Sequence, residues 1–132
     1  MANDYFLTLE GFLRRYRDGS GTEDWREIFE GDAGTAYTAV RYEFNEYEDG
    51  GLRVATGITD QEVPMGTVTL GKFVYMKTSQ DITVKFNGIG STGILLQAGK
   101  LLMAFIDFTS VHVSNASGSE AKVQRFFAGD PT

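Results

Sequence analysis

The sequence predicts an all-β fold, an antiparallel β-sandwich or jelly roll, and three observations predict it. Residues from Pro64 to Gly129 run as short alternating segments separated by glycine-bearing turns. Ile82, Val84 and Phe86 fall on one face of such a segment and Thr83 and Lys85 on the other, and Asn87-Gly88 follows as the strongest hairpin signal in the chain. Glycine is frequent, at 16 of 132 residues against 2 prolines, which reads as turn chemistry rather than as a flexible linker.

The elements follow in order. Tyr5 to Leu9 alternates as a first strand, and Phe12 to Tyr16 follows beyond Gly11 as a second strand or a bent extension of the first. Thr22 suits an N-cap, and the acidic residues after it suit the first turn of a short helix over Glu23 to Phe29, with a strand as the alternative. Ala36 to Asn45 alternates Val40, Tyr42 and Phe44 with Ala39, Arg41 and Glu43, the pattern of a half-buried strand. Glu46 to Gly51 reads as an acidic loop closing on a second hairpin signal, Asp49-Gly50. Leu52 to Thr56 returns as a strand, and Ile58 to Val63 ends at Pro64 as a sheet edge or a crossing loop. Further strands are expected at Thr67 to Leu70, Phe73 to Lys77, Ile82 to Phe86, Gly93 to Leu96, Ser110 to Ser114 and Ala121 to Phe127. Leu101 to Phe108 is apolar on both faces except for Asp107, and so reads as a central strand buried on both sides.

Length and composition suit a single β domain over residues 1–132, with Met1 to Asp4 as a candidate N-terminal arm. No apolar run approaches the roughly eighteen residues needed to span a bilayer. The start lacks the basic and apolar stretches of a secretory signal, so synthesis in a cytoplasm is the expectation. With 0 cysteines, disulfides and thiolate chemistry are excluded, and His112 as the lone histidine excludes a paired-histidine metal motif. The net charge of −6 disfavours bulk nucleic-acid binding. That charge is uneven: 14 acidic and 6 basic residues precede Thr67, while 4 acidic and 6 basic residues follow from there. Opposite-sign halves can steer contacts between copies, although solvated surfaces account for the same numbers.

Each chemically suggestive group has a plain structural reading beside it. Glu43, Glu46, Glu48 and Asp49 form the densest carboxylate set, but the spacing is not that of a calcium loop, and a solvated acidic hairpin is expected. Asp107, Ser110 and His112 invite a triad reading. On one strand, however, 110 and 112 share a face and 107 lies opposite, and no nucleophile-elbow pattern surrounds Ser110. Gly88 to Gly93 lacks the lysine and helix of a phosphate-binding loop and reads as a hairpin tip. Asn115-Ala116-Ser117 fits the glycosylation pattern and is read as a turn. A hydrolase built on a carboxylate pair such as Glu43 and Glu48 would need a supported cleft and a fixed separation. The aromatic residues Trp25, Tyr37, Tyr42 and Tyr47, with Arg14, Arg15, Arg17 and Arg26 nearby, are the types that interfaces and glycan platforms favour. Arg14, Arg15 and Arg17 form a basic cluster that suits either an acidic neighbour or a solvated edge strand.

The second half also carries a resemblance. Thr59-Asp60-Gln61-Glu62-Val63-Pro64-Met65-Gly66 leads through Val68 to Gly71 and the strand Phe73 to Lys77. Ile82 to Phe86, a glycine loop, the Leu96 to Lys100 turn, Leu101 to Phe108, Val111 to Ser114 and Ala121 to Phe127 complete the order. This layout resembles small β-rich virion structural proteins of tailed bacteriophages, including auxiliary capsid (decoration) proteins. It departs at Leu70, where a proline-glycine pair would be expected before Gly71, and the first half has no detailed match.

The resemblance implies a non-enzymatic virion component made in a host cytoplasm, present in multiple copies and without a cofactor. Its partners would be other copies, for which a trimer suits a capsid three-fold position, and a major capsid or tail protein. Arg14, Arg15, Arg17, Trp25 and Arg26 are the interface residues expected on that reading. The alternative is a carbohydrate- or receptor-binding module of a phage tail that stacks sugars on Trp25, Tyr37 or Tyr47.

Overall fold

Between Glu46 and Gly129 the chain behaves as one long antiparallel hairpin that has been rolled up. In the computed structural model, residues 5–9, 12–16, 23–28 and 40–129 are described, with side chains from Phe44 onward. Two compact units result, Met1–Glu43 and Phe44–Thr132.

The second unit contains eight strands: β5 (Glu46–Val54), β6 (Ile58–Glu62), β7 (Gly71–Thr78), β8 (Ile82–Phe86), β9 (Ile94–Leu96), β10 (Leu101–Ala104), β11 (Val111–Asn115) and β12 (Ala121–Gly129). First pairs with last, inward to the apex: β5 with β12, β6 with β11, β7 with β10 and β8 with β9. Successive pairs alternate between two sheets, and β12–β7 and β11–β8 ladders join them. The sheets therefore run β10-β7-β12-β5 and β6-β11-β8-β9, all antiparallel. That strand order is a jelly roll, two four-stranded sheets packed as a sandwich. Among the described residues there is no helix, and so none long and apolar enough to cross a membrane.

Alternation along the strands places the core between the sheets. Val54, Val74, Met76, Val123 and Phe127 face it from one sheet; Ile82, Val84, Leu96, Val111 and Val113 face it from the other. Phe108 is fully buried, with its ring edge-on to Phe86 at 5.6 Å and to Phe127 at 5.4 Å. Gly71 gives that ring its space, since a Cβ there would collide with the ring. Gly71 and Phe108 also exchange two backbone hydrogen bonds, of 2.7 and 3.0 Å.

The first unit contains β1 (Tyr5–Leu9) and β4 (Val40–Phe44), which pair, and β2 (Phe12–Tyr16) with β3 (Glu23–Ile28), which form an antiparallel pair. β4 ends on Phe44, the first residue of the second unit. The helix expected over Glu23 to Phe29 is thus a strand over Glu23–Ile28. A helix of about two turns hardly recovers its nucleation cost, whereas Phe12–Tyr16 offers a full ladder of backbone partners.

Three other expectations are corrected. Asp49-Gly50 is not a hairpin turn, because β5 continues through it in register with β12, and Gly50 absorbs the local distortion at φ 111°. Thr67 to Leu70 is no strand; Gly66, at φ 57°, opens a turn in which the Val68 N–H donates to the Met65 carbonyl at 3.0 Å. Leu101–Ala104 is an edge strand, not a central one, and the chain leaves the ladder before Phe108 rejoins Gly71. Asn87-Gly88 does lie at the hairpin apex, both residues having positive φ, but the connection between β8 and β9 spans residues 87–93.

Candidate interface: the apolar outer face and edge of one sheet

An outward sheet face in a free-standing sandwich is ordinarily polar. The β6-β11-β8-β9 sheet follows this rule. Its outer positions run Glu62–His112–Lys85 in one cross-strand row and Ser114–Thr83–Leu95 in the next. Lys85 pairs with Asp60 at 3.2 Å and also donates to the Ile89 carbonyl at 3.0 Å. The Ser114 hydroxyl accepts from the Asp60 N–H at 2.9 Å, bracing Asp60 at its left-handed φ of 52°. His112 Nδ1 is buried and lacks a hydrogen-bond partner.

The β10-β7-β12-β5 sheet breaks the rule. One outer row aligns Met103, Tyr75, Phe126 and Asp49. The adjacent row aligns Phe73, Ala128 and Tyr47, and Phe105 lays its ring on Phe73 at 4.8 Å. Phe126 stacks on Tyr47 at 6.1 Å and meets Phe44 and Phe73 edge-on at 5.8 and 6.2 Å. The patch is buried at Phe73 and Phe44 and open at its rim, where Tyr47 is 43% exposed and Phe105 47%.

The rim passes into an apolar edge. β9 and β10 end their respective sheets and are joined by the Gln97–Lys100 turn, so they border the same open side of the sandwich. Ile94, Leu101, Met103 and Ile106 are exposed there, Leu101 at 55%, whereas Leu95, 61% exposed, points outward from the other sheet beside Thr83. Exposed apolar residues gathered along one edge, beside an aromatic patch, are the kind of surface that marks a site of contact.

Most of the interface residues expected from sequence belong to the first unit. Arg14 is the cross-strand partner of Arg26, and Arg15 of Trp25, so the β2–β3 ladder brings four of the five together. Arg17 and Tyr37 lie outside the described residues, and so does the Met1 to Asp4 arm. Tyr47 sits within the aromatic patch with one ring face against Phe126. The other outer residues of this sheet, Phe73, Phe105, Phe126 and Met103, had no signal of their own, because alternation cannot say which apolar face is outermost when both are apolar.

The other suggestive groups resolve into structure. Glu48 turns inward to Arg125 at 3.3 Å; Arg125 also donates to the Gly50 and Pro64 carbonyls, each at 3.2 Å, and lies over the Phe127 ring. Asp107 pairs with Lys72 at 3.0 Å, and no hydrogen bond links Asp107, Ser110 and His112 to one another. Asn115 is fully buried: its Nδ2 donates to the Val54 and Ser119 carbonyls at 2.9 and 2.8 Å, and its Oδ1 accepts from the Ser117 N–H and hydroxyl. It is a turn brace, inaccessible to a glycan. Among the described residues, no three His, Cys, Asp or Glu side chains are grouped to hold a metal ion.

No protein-family model and no curated protein matches the chain. Among solved structures it is similar to the cupin domain of Schizosaccharomyces pombe Cnp3, at 8% identity and a TM-score of 0.43, over 93% of this chain and 84% of that one. The jelly-roll assignment stands on the strand order itself.

Proposed function

We propose that this chain is a non-enzymatic structural component of a tailed-bacteriophage virion, of the auxiliary capsid type, that docks in multiple copies on the particle surface. The observation that carries the proposal is the exposed apolar rim of the β10-β7-β12-β5 sheet, Tyr47 and Phe105 around a buried aromatic centre and Leu101, Met103 and Ile106 along its β10 edge. A sheet face of that chemistry is stable in water only at a cost, and covering it against a neighbour removes that cost. Repetition on a lattice then turns modest single contacts into firm attachment. The resemblance of the second half to small β-rich virion proteins supports the choice of particle.

The test is direct. Purified chain added to phage capsids stripped of their auxiliary proteins should bind saturably and raise the capsid melting temperature. Binding to no capsid or tail assembly would remove the proposal. A second reading, a glycan-binding module, is favoured by the half-exposed ring of Tyr47. Saturable signal on a glycan array, abolished by Tyr47→Ala, would select it instead.

A further inference from the structure

We infer that two copies of this chain pair edge to edge through β10, antiparallel about a two-fold axis, to make one continuous sheet across both sandwiches. This deepens the assembly reading above and rests on it. Among the described residues β10 has a ladder partner on one side only, β7, so its other side presents unpaired backbone donors and acceptors. A β-edge of this kind takes an added strand through main-chain hydrogen bonds.

The occupant follows from the chemistry along the edge. From Leu101 to Ile106 the chain is without charge, and Lys100 and Asp107 bracket the run at opposite ends. An antiparallel partner with the same sequence lays apolar residues against apolar residues and sets the two Lys100 side chains at opposite ends of the pair, while Asp107 stays with Lys72 of its own chain. A parallel partner would instead set Lys100 beside the partner's Lys100, which is unfavourable. The opposite edge of the same sheet, β5, carries Glu46, Glu48, Asp49 and Arg53, so docking β10 there would set an apolar strand against charges. Isologous pairing therefore wins over a head-to-tail chain of copies. Because residues 105–107 bulge away between the β10 ladder and the Gly71–Phe108 bridge, the paired segment is short and centres near Met103, which is 40% exposed.

Sedimentation equilibrium of the full chain should show a monomer–dimer equilibrium. Met103→Glu opposes two carboxylates at the axis and should weaken the pair by at least about a hundredfold. Its melting curve should stay close to the parent's, because the side chain it replaces is exposed. The chain has 0 cysteines, so Met103→Cys is a clean probe. It should cross-link to dimers with a short bis-maleimide, while Ala116→Cys should not.

A parent that stays monomeric into the high micromolar range overturns the inference. So does an oligomer that is insensitive to Met103→Glu and not cross-linked through Met103→Cys. Capsid binding by a parent that never self-pairs would leave the virion proposal standing without this one. Self-pairing without capsid binding would do the reverse.

Discussion

The two sheets of this sandwich share a core and differ in what they turn outward. The β6-β11-β8-β9 sheet presents Glu62, Lys85, Ser114 and Thr83, polar groups, together with His112, whose Nδ1 is buried without a partner, and Leu95 at its β9 edge. The β10-β7-β12-β5 sheet presents Phe73, Tyr75, Phe126, Tyr47 and Met103. Both inner faces obey the same alternation, so folding alone does not require the difference. The first face is finished when the chain folds. The second buries an aromatic centre within the chain and leaves an apolar rim open to solvent, the feature on which the assembly proposal rests.

The sharpest way to break this comparison is Phe73→Ala. Phe73 lies on an outer face yet is only 3% exposed, with Phe105 and Phe126 around it. It should therefore lose about 3–5 kcal/mol in denaturant unfolding, as a core phenylalanine does. A loss under about 0.5 kcal/mol, typical of surface positions, would mean that the patch is ordinary surface.

Next in size is Asn115→Ala, which strands the Val54 and Ser119 carbonyls and should cost about 1–3 kcal/mol, read as a lower urea midpoint at unchanged slope. Gly71→Ala should cost a similar amount, about 1–3 kcal/mol, by driving a methyl into the Phe108 ring. Lys85→Ala, on the polar face, removes a partly buried ion pair, its side chains 23% and 22% exposed, and should cost about 1 kcal/mol. If Lys85→Ala proved as damaging as Phe73→Ala, the polar face would be as structural as the aromatic one, and the contrast would fail. Smallest of all, Met103→Ser should leave the melting temperature nearly unchanged while reducing self-association and dye binding to exposed apolar surface.

Much of the fold was legible from residue order. Ile82–Phe86 occurs as read, because a polar residue at every second position fixes both the period and the facing. Ala121–Gly129 and Val111–Asn115 differ from expectation only at their ends. Leu101 to Phe108 was misread for a definite reason: a run that is apolar on both sides suits either a buried central strand or an edge with an uncovered face, and local pattern does not separate them. Asp49-Gly50 misled in the opposite direction. Its turn chemistry is real, but nine cross-strand partners along β12 hold it in the ladder. Of the expected site residues, Tyr47 lies in the apolar patch, while Arg14, Arg15, Trp25 and Arg26 fall on the β2–β3 ladder.

By itself, the order of residues determined that this protein is all-β, where most of its second-half strands lie, and that cysteine chemistry is absent. These are matters of period two, of turn residues and of composition, all local to the chain. Only the tertiary structure decided that β10 stands at an edge, that one sheet's outer face is aromatic, and that Asn115 and Arg125 are internal braces. Those outcomes depend on which distant strands become neighbours, here residues as far apart as Glu46 and Gly129, and no local pattern encodes that choice.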